Sequence, residues 1–215
     1  MWYEDDRTIL IKHEEFEYSL PDIGSPRWVY FSSLGGNSLE FHKTVENYLY
    51  SHPDIKLAFQ PGTFQIKTGL EALKKIYERA DLFFCNKEET QRILKTEEQD
   101  IKKLLAIMRE AGPKIVVITD GIKGAYVFDG NTAWHMPIYP DPKPPYERTG
   151  AGDAFSSTFT VALALGMSIP DALRWAPINS MSVVQYVGAR EGLLTKEKLE
   201  EYLTKAPQDY QSKEI

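Results

Sequence analysis

Leu82-Phe83-Phe84-Cys85-Asn86-Lys87-Glu88-Glu89 and, further along, Ile115-Val116-Val117-Ile118-Thr119 are the stretches on which the fold turns. The apolar part of each is too short for a stable helix, and it is apolar at successive positions, as a strand covered on both faces must be. Between them, residues 87–94 and 101–111 place apolar side chains at helical spacing. Strand, helices and strand in that order imply a parallel crossover. Toward the N-terminus the alternation repeats. Trp28–Phe31 reads as a strand buried on both faces, a helix is expected from about 38 to 51, a strand over 55–59 and a helix over 66–80. The expected fold class is α/β, a doubly wound, mostly parallel sheet with helices on both faces.

After Thr119 the rhythm changes. Residues 125–128 and 133–136 flank Asp129-Gly130-Asn131, a turn signal that predicts an antiparallel hairpin. Residues 137–145 hold five prolines, which forbid regular structure and predict a stiffened loop leading into Gly150-Ala151-Gly152-Asp153. Helices over 151–165, 170–186 and 196–203 are expected to close the chain. At the other end, 7–11 and 15–20 alternate apolar and charged residues, the pattern of a ribbon with one solvated face. They predict a small β-flap over 5–20 within a single domain, 1–215.

The 215 residues carry a formal net charge of −6, with 42% hydrophobic and 26% charged residues. This composition predicts a globular chain. It offers no basic field for a nucleic-acid backbone, so nucleic acid is not an expected partner. No apolar run reaches the roughly 18 residues that a membrane span needs, and the start Trp2-Tyr3-Glu4-Asp5-Asp6 is acidic where a leader would be basic. No membrane association and a cytoplasmic location are expected. The single cysteine, Cys85, lies in the apolar run at Leu82 and reads as a small buried hydrophobe.

Three pieces could carry chemistry. Thr149-Gly150-Ala151-Gly152-Asp153 opens an apolar helix, where small residues let backbone amides approach an anion and Asp153 could accept a hydroxyl proton. A glycine turn with an acidic residue near a helix N-terminus explains the same residues. Asn86-Lys87-Glu88-Glu89 begins a helix at the end of a strand. It is a capping box by pattern and, at such a strand end, a place where a carboxylate could hold magnesium beside phosphates. Thr119-Asp120-Gly121-Ile122-Lys123-Gly124 permits a tight turn close to a nucleotide, or is a plain strand-end turn.

Taken in order, an Asn-x-x-Glu element, a Thr-x-Gly-x-x-Gly turn after a strand, and Thr-Gly-Ala-Gly-Asp opening a long helix resemble the ribokinase-like (PfkB) family of sugar and nucleoside kinases. The resemblance runs over residues 28–203. It implies an ATP- and Mg2+-dependent transfer of the γ-phosphate to a hydroxyl of a sugar or nucleoside. Asp153 would then be the base, and Gly150, Ala151 and Gly152 the anion hole. Asn86 and Glu89 would organise the metal and phosphates. Thr119, Gly121, Gly124 and Asn179 match positions lining the nucleotide site. Glu147 stands where the family usually has aspartate, at a position that often binds a monovalent cation such as K+. The resemblance also implies a further N-terminal segment, including a glycine pair and an early aspartate that grip the acceptor, which this chain lacks. Two readings follow: an active phosphotransferase, or a truncated, non-catalytic member that binds nucleotide or only self-associates. With sheet strands uncovered, a homodimer or larger assembly is expected.

Overall fold

The computed structural model describes residues 14–215 and the backbone of Trp2–Tyr3 and Asp6–Arg7. The last two pairs, β1 and β2, form an antiparallel ladder of their own. Seven further strands lie side by side in the order in which the chain makes them. β3 (Trp28–Phe31), β4 (Lys56–Phe59), β5 (Leu82–Asn86) and β6 (Ile115–Thr119) are parallel. β7 (Ala125–Phe128), β8 (Ala133–Met136) and β9 (Lys213–Glu214) continue antiparallel. The mostly parallel α/β architecture expected from the sequence is the one observed.

Strand periodicity sorts the side chains into two cores. Leu82, Phe84 and Val117 enter one, and Phe83, Cys85, Val116 and Ile118 enter the other. The second is closed by α1 (Leu39–Ser51), α2 (Thr63–Thr68), α3 (Lys74–Arg79), α4 (Lys87–Leu94) and α5 (Ile101–Glu110), through residues such as Leu49, Tyr77 and Met108. The first is closed by α6 (Ala151–Ala164), α7 (Ile169–Val183) and α8 (Lys196–Thr204). At roughly 1.5–3 kcal/mol for each large side chain fully buried, these two layers dominate the stabilisation of the sheet. They also leave the C-terminal ends of β5 and β6 open beside the start of α6.

Several expectations differ from the structure. The helix expected over 66–80 is broken: α2 ends at Gly69, whose φ of 90° is left-handed backbone that favours glycine, and the chain restarts through a 3-10 turn into α3. β3, read as buried on both faces, is the outermost strand of the seven-stranded sheet among the described residues, pairs there with β4 alone, and leaves Tyr30 38% exposed. Its run of four apolar residues resembles a central strand because one face is covered and Trp28 packs partly on the other. Residues 15–20 form no strand, and of the expected strand at 7–11 all but the backbone of Arg7 lies outside the described residues. β9 escaped the sequence reading because two residues paired to Trp134 and His135 carry no periodicity.

Candidate active site

α4 and α6 both begin at the open rim of the sheet. Asn86 ends β5 and caps α4: its Oδ1 accepts from the Glu89 amide at 2.8 Å, while Glu89 Oε2 accepts from the Asn86 amide at 2.9 Å. α6 is built differently. Its N-cap is Gly150 with φ of 83°, and no side chain caps it. A Cβ at this position would lie 2.7 Å from the Ala189 methyl, so glycine is required both by backbone and by space. Ala154 N donates to Gly150 O at 2.8 Å, but among the described residues the amides of Gly152 and Asp153 reach no acceptor. Unpaired first-turn amides and the positive end of the helix dipole make an anion-binding surface.

Asp153 stands exposed in that first turn. Its Oδ1 accepts a 2.9 Å hydrogen bond from Gln60 Nε2, and the Tyr30 hydroxyl donates to Gln60 Oε1. Burial, followed by the nearby Asp153 charge, pushes the Tyr30 hydroxyl well above the usual range, so it remains a donor. A polar hollow of about 550 Å3 surrounds Asp153 and is lined by Asn86, Glu88, Glu89, Asp120, Arg148 and Gly150. A narrower hollow of about 200 Å3 adjoins it, with walls that include Ile122, Ile138, Phe155, Pro177 and Met181. Thr119, Gly121, Arg148, Ala151 and Gly152 line both. An apolar slot leading to a polar, amide-rich basin suits a flat aromatic group attached to phosphates.

A family model described as pfkB family carbohydrate kinase matches residues 12–196. The chain belongs to this family. Among its relatives, a cytidine kinase of Thermococcus kodakarensis is 32% identical over 104 residues, 48% of this chain and 37% of the relative. A ribokinase of Bacillus subtilis is 39% identical over 93 residues, 43% of this chain and 31% of the relative. The solved ribokinase of Arabidopsis thaliana, complexed with ribose and ATP, shares the fold with a TM-score of 0.70 at 22% identity, over 82% of this chain and 55% of that one. The pfkB chain thus spans between about a third and somewhat over half the length of these proteins.

Within this pfkB chain the residues singled out from the sequence separate into two groups. Asn86, Glu89, Thr119, Gly121, Gly150, Ala151, Gly152 and Asp153 line the polar basin, and Gly124 lines the narrower slot. Glu147 and Asn179 line neither. Glu147 Oε2 accepts from the Thr149 hydroxyl at 3.2 Å, and its Oε1 accepts from the Gly188 amide, so this carboxylate ties the signature loop to residue 188. Asn179 is buried between α6 and α7: it donates to Thr158 Oγ1 at 2.8 Å and accepts from Leu194 N at 3.0 Å. Both of its amide ends are thereby taken up by the protein.

The sequence reading missed Tyr30, Arg148 and Ser180, and left Gln60 open: it begins a stretch that follows a strand end near the expected site but suits an ordinary turn as well, while Tyr30 is a strand residue by pattern. Arg148 adjoins the signature and could have been flagged by its charge there. Ser180, on the late helix α7, donates to Ala151 O at 2.5 Å and lines the slot, a contact that no local pattern announces. Asp141, also in the slot, has its carboxyl pushed up by burial while the Arg148 charge pulls it down, and Gln185 Nε2 donates to it at 3.3 Å. Among the described residues no cluster of three or more His, Cys, Asp or Glu side chains is arranged to hold a metal. Glu88, Glu89 and Asp120 line the basin, oxygen donors of the kind that a magnesium ion beside phosphates would meet through water.

Proposed function

We propose that this chain carries the nucleotide site and the base of an ATP-dependent phosphotransferase, which moves the γ-phosphoryl group to a hydroxyl of a sugar or nucleoside. The observation that carries the reading is the uncapped start of α6, where the unpartnered amides of Gly152 and Asp153 adjoin the Asp153 carboxylate in a single basin. Family membership and relatives named for kinase activity support it.

In this reading Gly150, Ala151 and Gly152 receive the phosphoryl group as charge spreads over its oxygens. The nucleobase enters the slot between Ile122 and Pro177, and Thr119 and Gly121 flank the phosphates. Magnesium, when bound with ATP, neutralises phosphate charge, and Asn86 and Glu89 would orient it through water. Asp153 takes the acceptor proton. Glu147, with Thr149 and Gly188, organises the loop before the signature, where a monovalent cation such as K+ would act on the same backbone.

Self-association also fits. The edge of β3 exposes Tyr30, and Val161 on α6 and Leu165 at its C-cap, four residues apart, are more than half exposed. Among the described residues no helix is long and apolar enough to cross a membrane. The test is calorimetric titration of the folded chain with MgATP, followed by assay of ADP release with ribose and with cytidine. Heat of binding and turnover on either acceptor are expected. No heat at millimolar nucleotide removes the nucleotide site. Binding without turnover on both acceptors favours the non-catalytic reading.

A further inference from the structure

Asp153 sits at the solvent-facing start of α6, where a carboxylate side chain has several rotamers open to it. In the structure one of its oxygens is held. Gln60 Nε2 donates to Oδ1 at 2.9 Å across a sequence separation of 93 residues. Gln60 is itself fixed on both sides. Its backbone amide donates to Phe31 O at 2.9 Å, which pins it to the end of β3. The following turn is locked by Gln65, which is buried, accepts from Gly62 N at 2.7 Å and donates to Ser32 O at 2.9 Å. The loop that presents Gln60 is therefore a rigid part of the scaffold.

A primary amide can face a carboxylate in two ways, and only one is favourable, since a carboxylate accepts and cannot donate. The Asp153 carboxylate selects Nε2, and the Tyr30 hydroxyl, donating to the Oε1 left at the other end, supports the same orientation. A tyrosine hydroxyl carries its proton at neutral pH, and partial burial with the nearby Asp153 charge holds it above its usual range, so Tyr30 has a proton to donate. Tyr30, Gln60 and Asp153 thus form a directional relay from the edge strand of the sheet to the helix that bears the carboxylate.

We propose that Gln60 is a positioning residue for Asp153, with its amide buttressed by Tyr30, so that one carboxylate oxygen is held by the scaffold and the other faces the acceptor. The proposal rests on the phosphotransferase reading above. In the step concerned, the acceptor O–H bond breaks and its proton passes to Asp153. The acceptor oxygen forms a bond to the γ-phosphorus, and the bond from that phosphorus to the β,γ-bridging oxygen breaks, leaving with its electron pair on ADP. An error of about 1 Å in the place of such a group can cost on the order of 100-fold in rate. Gln60 also lines the basin, and in this proposal its effect on the step passes through Asp153.

Two measurements on the full chain test this. In the first, the Gln60 side-chain amide resonances are followed by NMR through an acid titration. They are expected to move as the carboxylate is protonated, and Asp153→Asn is expected to abolish the movement. Amide resonances blind to the titration, or still titrating in Asp153→Asn, overturn the pair whether or not the chain turns over. In the second, with ribose or cytidine, whichever is turned over, Gln60→Leu is expected to lower kcat about 10- to 100-fold with KM for MgATP changed less than about two-fold. Tyr30→Phe, which keeps the ring, should give a smaller loss in the same direction. Gln60→Glu sets a second carboxylate beside Asp153 and should move the acid limb of the rate profile to higher pH, a change that a merely structural role does not produce. An unchanged kcat in Gln60→Leu overturns the positioning role. No turnover by the unmodified chain sinks the phosphotransferase reading, while the amide titration still decides the pair.

Discussion

α4 and α6 start at the same rim of the sheet and treat their first-turn amides in opposite ways. At α4 the protein completes itself, because Asn86 and Glu89 exchange hydrogen bonds and two otherwise orphaned donors are satisfied within four residues. At α6 a glycine in left-handed backbone takes the N-cap, no side chain reaches back, and the amides of Gly152 and Asp153 have no acceptor among the described residues. A helix end that leaves donors unsatisfied forgoes stabilisation of about 0.5–2 kcal/mol that a capping side chain would supply. One helix start is satisfied within the protein, and the other leaves its first-turn amides facing the basin. Within the proposed function, this difference favours α6 as the element that receives the phosphoryl group and leaves α4 a role through the metal.

The contrast can be broken at three residues. The largest effect is expected from Asp153→Asn, which keeps the shape of the first turn but cannot take a proton. Turnover should fall by about 10²–10⁴-fold while MgATP affinity by calorimetry stays near that of the unmodified chain. Near-normal turnover would show that another residue is the base. An intermediate effect is expected from Gly150→Ala. The new methyl meets Ala189 at 2.7 Å on a backbone of φ 83°, and together these should cost roughly 1–3 kcal/mol in denaturant unfolding and weaken nucleotide binding. Unchanged stability would mean that the turn relaxes freely and that its shape is no cradle. The smallest is Asn86→Ala, which removes the cap of α4 and should cost about 1 kcal/mol of stability. If MgATP affinity is untouched, Asn86 is a cap alone. If it falls by more than the lost stability explains, the capping box also serves the metal.

Much of this was legible in the residues themselves. The strands at 28–31, 82–86 and 115–119 and the hairpin at Asp129 were set by local composition, and the structure has them within a residue or so. In the hairpin Asp129 Oδ1 accepts from the amides of Asn131 and Thr132, both at 2.8 Å, a closure contained in three adjacent residues. Gly150, Gly152 and Asp153, expected at a site because their chemistry is packed into one short stretch, all line the basin. Asn179 and Glu147 are different. Matching position suggested ligand contacts, yet the side-chain atoms of both are engaged by neighbours that sequence spacing does not reveal.

By itself the sequence determined the alternation of strands and helices, the hairpin and the glycine turn that opens α6, because each depends on backbone geometry and hydrophobic period within a few residues. Tertiary structure alone decided that β3 is an edge, that Ser180 reaches Ala151 from the late helix α7, and that Tyr30 and Gln60 stand behind Asp153. These contacts join residues tens of positions apart. They exist only once parallel strands have been paired in register and a helix laid across them, so no local preference can encode them.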